Sequence, residues 1–237
     1  MNTGFTVWFT GMSGTGKTAL ANYLAPRLRQ VGTNTEILDE APLGAELWGA
    51  LGDTKEDRTL AIRRLGLLAQ MLSRNNVAVL VAAVSPYKSN REENRRAINR
   101  YVEVYVDCPT DKLIERDSTG RYKKALGGEI PNFIGITEPY EPPSTPEVTI
   151  HSDVESVEEG GRKVLQALLD LGYIAADQMR TITGERARST HAKKARAGKT
   201  SRPGAAKGAR KARPVARAAR VAKAAKKKKG AAKQKSR

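Results

Sequence analysis

A glycine-rich run near the amino end carries the strongest chemical signal in this sequence of 237 residues. It reads Gly11-Met12-Ser13-Gly14-Thr15-Gly16-Lys17-Thr18. Glycines tolerate the backbone angles and the close approach that several N–H groups need in order to converge on phosphate oxygens. Lysine adds a positive charge for the terminal phosphates, and the threonine hydroxyl is a ligand for Mg²⁺. We predict that these eight residues bind the triphosphate of ATP; a merely tight strand-to-helix turn is the alternative.

The segments around this run have the patterns that a phosphate loop requires. Phe5–Thr10 is rich in β-branched and aromatic residues, which predicts a buried strand. From Lys17 to near Gly32, apolar residues recur with helical spacing, so a helix should begin directly behind the loop. The positive end of that helix dipole then faces the bound anion.

Strand and helix patterns alternate along the rest of the domain. Further strands are predicted at Thr35–Leu38, Val77–Val84, Val102–Val106 and Val148–Ile150, and further helices at Glu56–Arg74, Asn90–Asn99, Asp111–Glu115 and Val157–Leu171. On one side of the longest helix, opposite an arginine-rich face, we expect Leu60, Leu65, Leu68, Met71 and Leu72. The alternation predicts an α/β fold with a parallel, doubly wound sheet, whose ligands bind beyond the carboxyl ends of the strands.

Two polar residues fall at such strand ends. Asp39 follows Thr35–Leu38, and Ser85 follows Val77–Val84. We therefore place both in the predicted active site together with Lys17, with Asp39 or the following Glu40 suited to orient or deprotonate an acceptor hydroxyl. Residues 118–146 are rich in Gly, Pro, Lys and Glu without a clean period, which indicates a mobile lid and a substrate loop.

Positive charge is concentrated at the carboxyl end. The whole chain has a net charge of +17, whereas residues 185–237 contain 12 Lys and 9 Arg against one acidic residue, a net charge of +20. We predict a folded domain over residues 1–180 and a disordered tail over 181–237, because a segment rich in Lys, Arg and Ala cannot bury a core. Such a tail should bind DNA or RNA phosphates without reading sequence. A solubilising or membrane-surface tail is the alternative.

Cysteine use and hydropathy indicate a cytoplasmic protein. With a single cysteine, Cys108, the chain cannot form an internal disulfide, so it does not require an oxidising compartment. The first residues lack a basic stretch that leads into an apolar one, so we expect no signal peptide. No apolar run approaches the roughly 18 residues that cross a bilayer, so no membrane span is expected.

Several motifs outside the loop make the chain resemble one kinase family. They are Trp8-Phe9-Thr10 before the loop, Ser85-Pro86-Tyr87, Glu103-Val104-Tyr105-Val106-Asp107-Cys108-Pro109, Glu115-Arg116-Asp117, Tyr122-Lys123-Lys124-Ala125, Gly128-Glu129-Ile130 and Pro139-Tyr140-Glu141-Pro142-Pro143. Their order and spacing over about residues 5–172 resemble those of the adenylylsulfate kinases. The tail lies outside this resemblance.

The resemblance implies a fold, an activity and roles for individual residues. It implies the three-layer P-loop kinase fold, a homodimer, and transfer of the γ-phosphoryl group of ATP to the 3′-hydroxyl of adenylyl sulfate with Mg²⁺. By resemblance Ser85 matches a serine assigned as a phosphorylated intermediate, but a residue at this strand end is equally suited to holding Mg²⁺ or its water. The resemblance also places Arg116 near the donor nucleotide and Phe133 against the acceptor's adenine. It assigns the acceptor the further residues Arg58, Arg63, Lys123 and Ile134, although Arg63 on a solvated helix face is the competing interpretation.

Departures from the family pattern cluster on the acceptor side. The family's Asp-Gly-Asp is Asp39-Glu40-Ala41, and the arginine expected three residues later is Gly44. An aromatic position of the family is Asp53, and an asparagine position is Ala61. Three interpretations therefore remain: an adenylylsulfate kinase, a kinase of the same fold for another hydroxyl acceptor, and a nucleotide-binding protein without catalysis. A nucleoid-associated protein that uses the kinase fold as a scaffold is a further alternative for the chain as a whole.

Overall fold

The computed structural model describes residues 4–47, 49 and 51–184. At its centre is a five-stranded parallel sheet. The strands in chain order are β1 (Phe5–Thr10), β2 (Thr35–Asp39), β3 (Ala78–Ala82), β4 (Tyr101–Asp107) and β5 (Val148–His151). They are arranged as β2-β3-β1-β4-β5, so β1 is the middle strand. This is the doubly wound order that the alternating pattern predicted.

Helices cover both faces of the sheet. In chain order they are α1 (Lys17–Gln30), α2 (Glu40–Leu47), α3 (Lys55–Ser73), α4 (Lys88–Ala97), α5 (Thr110–Arg116), α6 (Arg121–Leu126), α7 (Val157–Asp170) and α8 (Ala176–Thr183). Because neighbouring residues of a strand point to opposite faces, Phe5, Val7 and Phe9 pack with α1 and α7, while Trp8 packs with α3. The predicted α/β class with three layers is confirmed.

The buried face of α3 differs from the prediction. Leu65 is buried, but Leu60 and Met71 are 41% and 44% exposed. The helix instead buries Ala61, Ile62, Leu65, Gly66, Ala69 and Ser73. Small residues let α3 approach its neighbours closely: a Cβ on Gly66 would overlap the side-chain amide of Asn94. Leu68 and Leu72 are partly buried against the same core as Leu65, so the prediction was wrong only for Leu60 and Met71, and it overlooked the small buried residues.

Three helices were absent from the prediction. They are α2, which starts directly after Asp39, α6 within the predicted lid, and α8. The predicted domain boundary at 180/181 falls inside α8. The tail predicted to be disordered continues beyond residue 184, where it lies outside the described residues. Over the part of the chain that the structure describes, no helix combines the length and apolar character needed to cross a bilayer.

Candidate active site

The predicted phosphate loop joins β1 to α1. Gly14 and Gly16 have φ angles of 83° and 97°, and a Cβ on Gly11 would overlap the carbonyl oxygen of Val106. Glycine is therefore required at these points. α1 begins behind Gly16 without a side-chain cap, which leaves the N–H groups of its first turn for another acceptor. The geometry is that of an anion site at a helix amino end.

The ammonium group of Lys17 is held inside this loop. Its side chain is 9% exposed, and Nζ donates hydrogen bonds to the carbonyl oxygens of Gly11 at 2.8 Å and Met12 at 2.7 Å. Burial lowers the pKa of Lys17 to about 8, against the opposing effect of Glu40 and Asp39. Lys17 therefore carries its positive charge at neutral pH, next to the phosphate loop.

The end of β2 brings a carboxylate to the loop. Thr18 Oγ1 donates to Asp39 Oδ2 at 2.6 Å, and the Ala41 N–H donates to Asp39 Oδ1 at 3.1 Å. Hydroxyl and carboxylate oxygens are ligands that Mg²⁺ prefers, and protein sites commonly supply only one or two of them because phosphates and water complete the shell. The pair of Thr18 and Asp39 therefore fits a magnesium ion.

A cavity of about 250 Å³ opens beside the loop. It is lined by Ser13, Glu40, Ala41, Asp53, Arg58, Val84, Arg121, Phe133 and Ile134. Three residues that the resemblance assigned to the acceptor, Arg58, Phe133 and Ile134, are thus brought together. Of the positions where the sequence departs from the family, Ala41 and Asp53 also lie on this wall. One aromatic ring among charged groups suits a flat base that carries an anion.

Arg58 is fixed at the cavity wall by three hydrogen bonds. Its Nη2 donates to Asp53 Oδ1 at 2.9 Å and to the carbonyl oxygen of Asn132 at 2.8 Å, and its Nε donates to the carbonyl oxygen of Asp53 at 3.1 Å. The first of these bonds uses the carboxylate that replaces the family's aromatic residue. Asp53 therefore orients Arg58, and the bond from Arg58 to Asn132 links the start of α3 to the lid.

The predicted lid packs directly onto the phosphate loop. Tyr122 on α6 donates from its hydroxyl to the carbonyl oxygen of Ser13 at 2.7 Å, and burial raises the pKa of Tyr122 to about 12, so the proton for this bond is retained. The Tyr122 ring meets the Phe133 ring edge to face at 4.9 Å between centroids. Met12 of the loop packs against the same cluster. Phosphate loop and acceptor cavity consequently form one compartment.

The hydroxyl of Ser85 is buried away from the cavity. Ser85 is 0% exposed, and its Oγ accepts a hydrogen bond from Trp8 Nε1 at 2.8 Å. Its backbone adopts a left-handed φ of 40°, which is uncommon for a residue with a side chain. In this geometry Ser85 is placed to hold the Trp8 ring and the turn after β3, and its hydroxyl does not line the acceptor cavity.

Arg91 of α4 maintains that turn and was not singled out from the sequence. Its side chain is 2% exposed. Nε donates to Glu103 Oε1 at 3.0 Å, Nη1 donates to the carbonyl oxygen of Ser85 at 2.6 Å, and Nη2 donates to that of Glu141. Arg91 thus ties the turn after β3 to β4 and to the lid. The sequence contained no signal for this role, because α4 reads as a uniformly polar, solvated helix.

Three other predicted site residues lie outside the acceptor cavity. Arg63 is half-exposed on α3 and pairs with Glu93 at 2.9 Å. Lys123 is exposed on α6. Arg116 lies in a separate groove beside Gly14, Thr15 and Gly16, where its Nη1 donates to the carbonyl oxygen of Ser152 at 3.0 Å. The placement of Arg116 agrees with a role at the donor nucleotide. The structure does not bring Arg63 or Lys123 to the acceptor cavity.

Arg121, which was not predicted from the sequence, lines the acceptor cavity. It is the first residue of α6 and follows Gly120, whose φ of 69° ends the preceding turn. The guanidinium carbon lies 5.5 Å from the centroid of the Phe133 ring. In the sequence, Arg121 is one arginine in a segment without periodicity. Its position at the cavity depends on how the lid folds, which the sequence pattern does not show.

Comparisons with known proteins agree with this geometry. The model of the family described as adenylylsulphate kinase matches residues 3–151. The adenylyl-sulfate kinase of Rippkaea orientalis is 47% identical over 172 residues, which cover 73% of this chain and 95% of the relative. The adenylyl-sulfate kinase of Myxococcus xanthus is 44% identical over 177 residues, covering 73% and 95% of the two chains. Among solved structures, the Mycobacterium tuberculosis APS kinase CysC in complex with AMPPNP and APS superimposes with a TM-score of 0.67 at 35% identity, covering 71% of this chain and 99% of that one.

Proposed function

The chain belongs to the adenylylsulphate kinase family, and from that premise we propose that it transfers the γ-phosphoryl group of ATP to the 3′-hydroxyl of adenylyl sulfate. The product is 3′-phosphoadenylyl sulfate. One observation carries the proposal: Ser13 belongs both to the phosphate loop and to the wall of the cavity that holds Arg58 and Phe133. A phosphate bound by the loop therefore faces an acceptor in the cavity without an intervening wall. The M. tuberculosis relative, solved with AMPPNP and APS, supports the same pairing of ligands.

The phosphate loop provides the electrostatic part of this reaction. Phosphoryl transfer depends mainly on positioning and on neutralising charge at the transferred group. The N–H groups at the start of α1 and the ammonium group of Lys17 bind the phosphate oxygens. Because the loop is formed before the substrate arrives, little reorganisation is needed as charge moves toward the leaving oxygen.

Thr18 and Asp39 are the residues that would hold Mg²⁺. When bound, the ion supplies positive charge to the β- and γ-phosphate oxygens. Asp39 is joined to Thr18 at 2.6 Å and is 8% exposed, so it is fixed at the junction of loop and cavity. We also assign to Asp39 the orientation or deprotonation of the acceptor hydroxyl.

The cavity residues bind the acceptor. Phe133 stacks on the adenine, Ile134 closes the apolar side, and Arg58 faces the anionic groups. The hydrogen bonds of Arg58 to Asp53 and Asn132 use three of its five N–H groups and fix the guanidinium, which leaves the two N–H groups of Nη1 for an anion. Ser85 acts here as a support for the turn after β3, since its hydroxyl accepts the Trp8 hydrogen bond inside the fold.

An ATP-turnover assay with and without adenylyl sulfate tests the proposal. We expect ADP release to be stimulated at least about tenfold by adenylyl sulfate, with 3′-phosphoadenylyl sulfate identified by mass spectrometry. Matched reactions with adenosine 5′-phosphate and with small sugar alcohols examine the alternative acceptors. Normal ATP binding with stimulation by another acceptor alone would establish the second interpretation, and binding without stimulation by any acceptor would establish the non-catalytic one.

We also propose that the chain forms a homodimer, as the family resemblance implies. Exposed apolar side chains on α3, namely Leu60, Leu67 and Met71, support this proposal because they recur on one side of the helix. Light scattering measures the mass directly. A cytoplasmic location likewise stays a prediction from the sequence.

The tail is proposed to bind nucleic acid as a second function. Its net charge of +20 over residues 185–237 is the observation that favours it, because each neutralised phosphate releases counterions. Deleting residues 185–237 should abolish a steeply salt-dependent binding to duplex DNA, measured by fluorescence anisotropy, and leave ATP affinity unchanged. Equal DNA binding by the truncated and full-length chains would contradict this function.

A further inference from the structure

The acceptor cavity contains a planar cation above its aromatic wall. Among the described residues that line this cavity, Phe133 is the only aromatic one. The guanidinium carbon of Arg121 lies 5.5 Å from the Phe133 ring centroid. Guanidinium groups stack on aromatic faces and on nucleobases because they are planar and weakly hydrated. The cavity therefore holds a planar cation over the face of its one aromatic ring.

The distance between the Arg121 guanidinium and the Phe133 ring is slightly too short for one base to fit between them. Stacked bases are about 3.4 Å apart, so a base between two flat groups needs roughly 7 Å. Arg121 must move outward by at least about 1.5 Å to admit a purine, and rotation of this exposed side chain can provide such a change. Its position at the start of α6, after the turn at Gly120, leaves the guanidinium at the mouth of the cavity.

Asp53 cannot serve as the second stacking group. Its carboxylate accepts the hydrogen bond from Arg58 Nη2 at 2.9 Å, and a carboxylate has no face that attracts a base. Arg121 forms no ion pair within the described part of the chain, so its guanidinium is not held by an acid. Of the two side chains at the mouth, only Arg121 is available to cover a base.

We infer that Arg121 is a specificity-determining residue that stacks on the acceptor's purine from the side opposite Phe133. The inference rests on the proposed function and adds how the base is recognised. The base enters between ring and guanidinium, and the positive charge at the same time attracts the anionic acceptor toward the cavity. Arg58 and Arg121 thereby have different tasks: Arg58 binds the anionic group in a fixed orientation, and Arg121 covers the base.

Four variants of the full chain test this inference by steady-state kinetics with adenylyl sulfate. Arg121→Ala should raise the KM for adenylyl sulfate about 10- to 100-fold, with kcat and the KM for ATP within about threefold of wild type. Arg121→Lys retains the positive charge but lacks the planar guanidinium group, and should raise the KM for adenylyl sulfate by a similar factor. Arg121→Phe restores a flat face and should have a KM within about threefold of wild type. Lys124→Ala, which removes a charge from the same helix outside the cavity, is the matched control and should leave both KM values unchanged.

The outcomes separate this inference from the proposed function. A wild-type KM for Arg121→Ala would overturn the inference, while turnover of adenylyl sulfate by the wild-type chain would leave the proposed function intact. A wild-type KM for Arg121→Lys would also overturn it, because charge without stacking would then be sufficient. Absence of turnover by the wild-type chain, with ATP still bound, would contradict the proposed function. Calorimetric titration of the variants with adenylyl sulfate in the presence of ADP checks that the KM changes report binding.

Discussion

Replacing Lys17 with alanine is expected to lower kcat/KM for ATP by about 10³-fold, as the loss of a preorganised charge at a transferring group does elsewhere. The physical reason is the position of Nζ, which is held by the carbonyl oxygens of Gly11 and Met12 inside the phosphate loop. ATP turnover in the presence of adenylyl sulfate, and ATP affinity by calorimetry, measure the effect.

The pKa of Lys17 adds a signature in the pH dependence. In the free protein burial lowers this pKa to about 8, whereas a bound triphosphate favours the charged form and raises it. Binding above pH 8 must therefore take up a proton, so wild-type ATP affinity should fall as the pH rises through about 8. Lys17→Ala should lack this fall. Lys112→Ala, a change at an exposed lysine, should leave affinity and pH dependence as in wild type; a variant of Lys17 with intact affinity and turnover would refute the role of the loop.

The local part of the fold was predictable from the sequence because its signals are local. β1 has the predicted bounds, and α1 begins at the predicted Lys17. An apolar run, a glycine pattern and a helical period each act within about ten residues, so neighbouring residues alone determine them. The same holds for the placement of Asp39 at the end of β2 beside Thr18, since parallel strands bring their carboxyl ends to one edge.

The parts that escaped prediction depend on contacts between distant residues. The hydrogen bond from Trp8 to Ser85 spans 77 residues, and the bond from Tyr122 to Ser13 spans 109. No period or motif reports such a pair. Arg91 and Arg121 were missed for the same reason, because an arginine on a polar segment looks solvated until the lid and the turn after β3 are placed around it.

Two of the residues that depart from the family pattern, Asp53 and Glu40, make structural contacts at the cavity wall. Asp53 stands at a position that is aromatic in the family pattern, and its carboxylate and backbone carbonyl hold Arg58. Glu40 accepts the Val84 N–H at 2.7 Å and thereby joins the start of α2 to the end of β3. Both replacements hold the wall of the cavity in place, so neither Asp53 nor Glu40 argues against adenylyl sulfate as the acceptor.

A comparison of Asp39→Asn with Ser85→Ala decides which of the two strand-end residues takes part in the chemistry. Asp39 contacts Thr18 at the loop, so its replacement by the isosteric amide should lower kcat by about 10²- to 10⁴-fold with the KM for adenylyl sulfate nearly unchanged. If the loss comes from Mg²⁺ binding, raising the Mg²⁺ concentration should restore part of the activity; if it comes from the acceptor hydroxyl, it should not.

Ser85→Ala should behave in the opposite way. Removing its hydroxyl leaves the buried Trp8 N–H without its acceptor, which costs about 1–3 kcal/mol of folding free energy and should lower the Tm by several degrees. Turnover should stay within about tenfold of wild type, because the hydroxyl faces Trp8 at 2.8 Å and not the cavity. A loss of turnover as large as that of Asp39→Asn, together with recovery of phosphoserine at position 85 after incubation with ATP, would show instead that this hydroxyl leaves Trp8 during the reaction and carries the phosphoryl group.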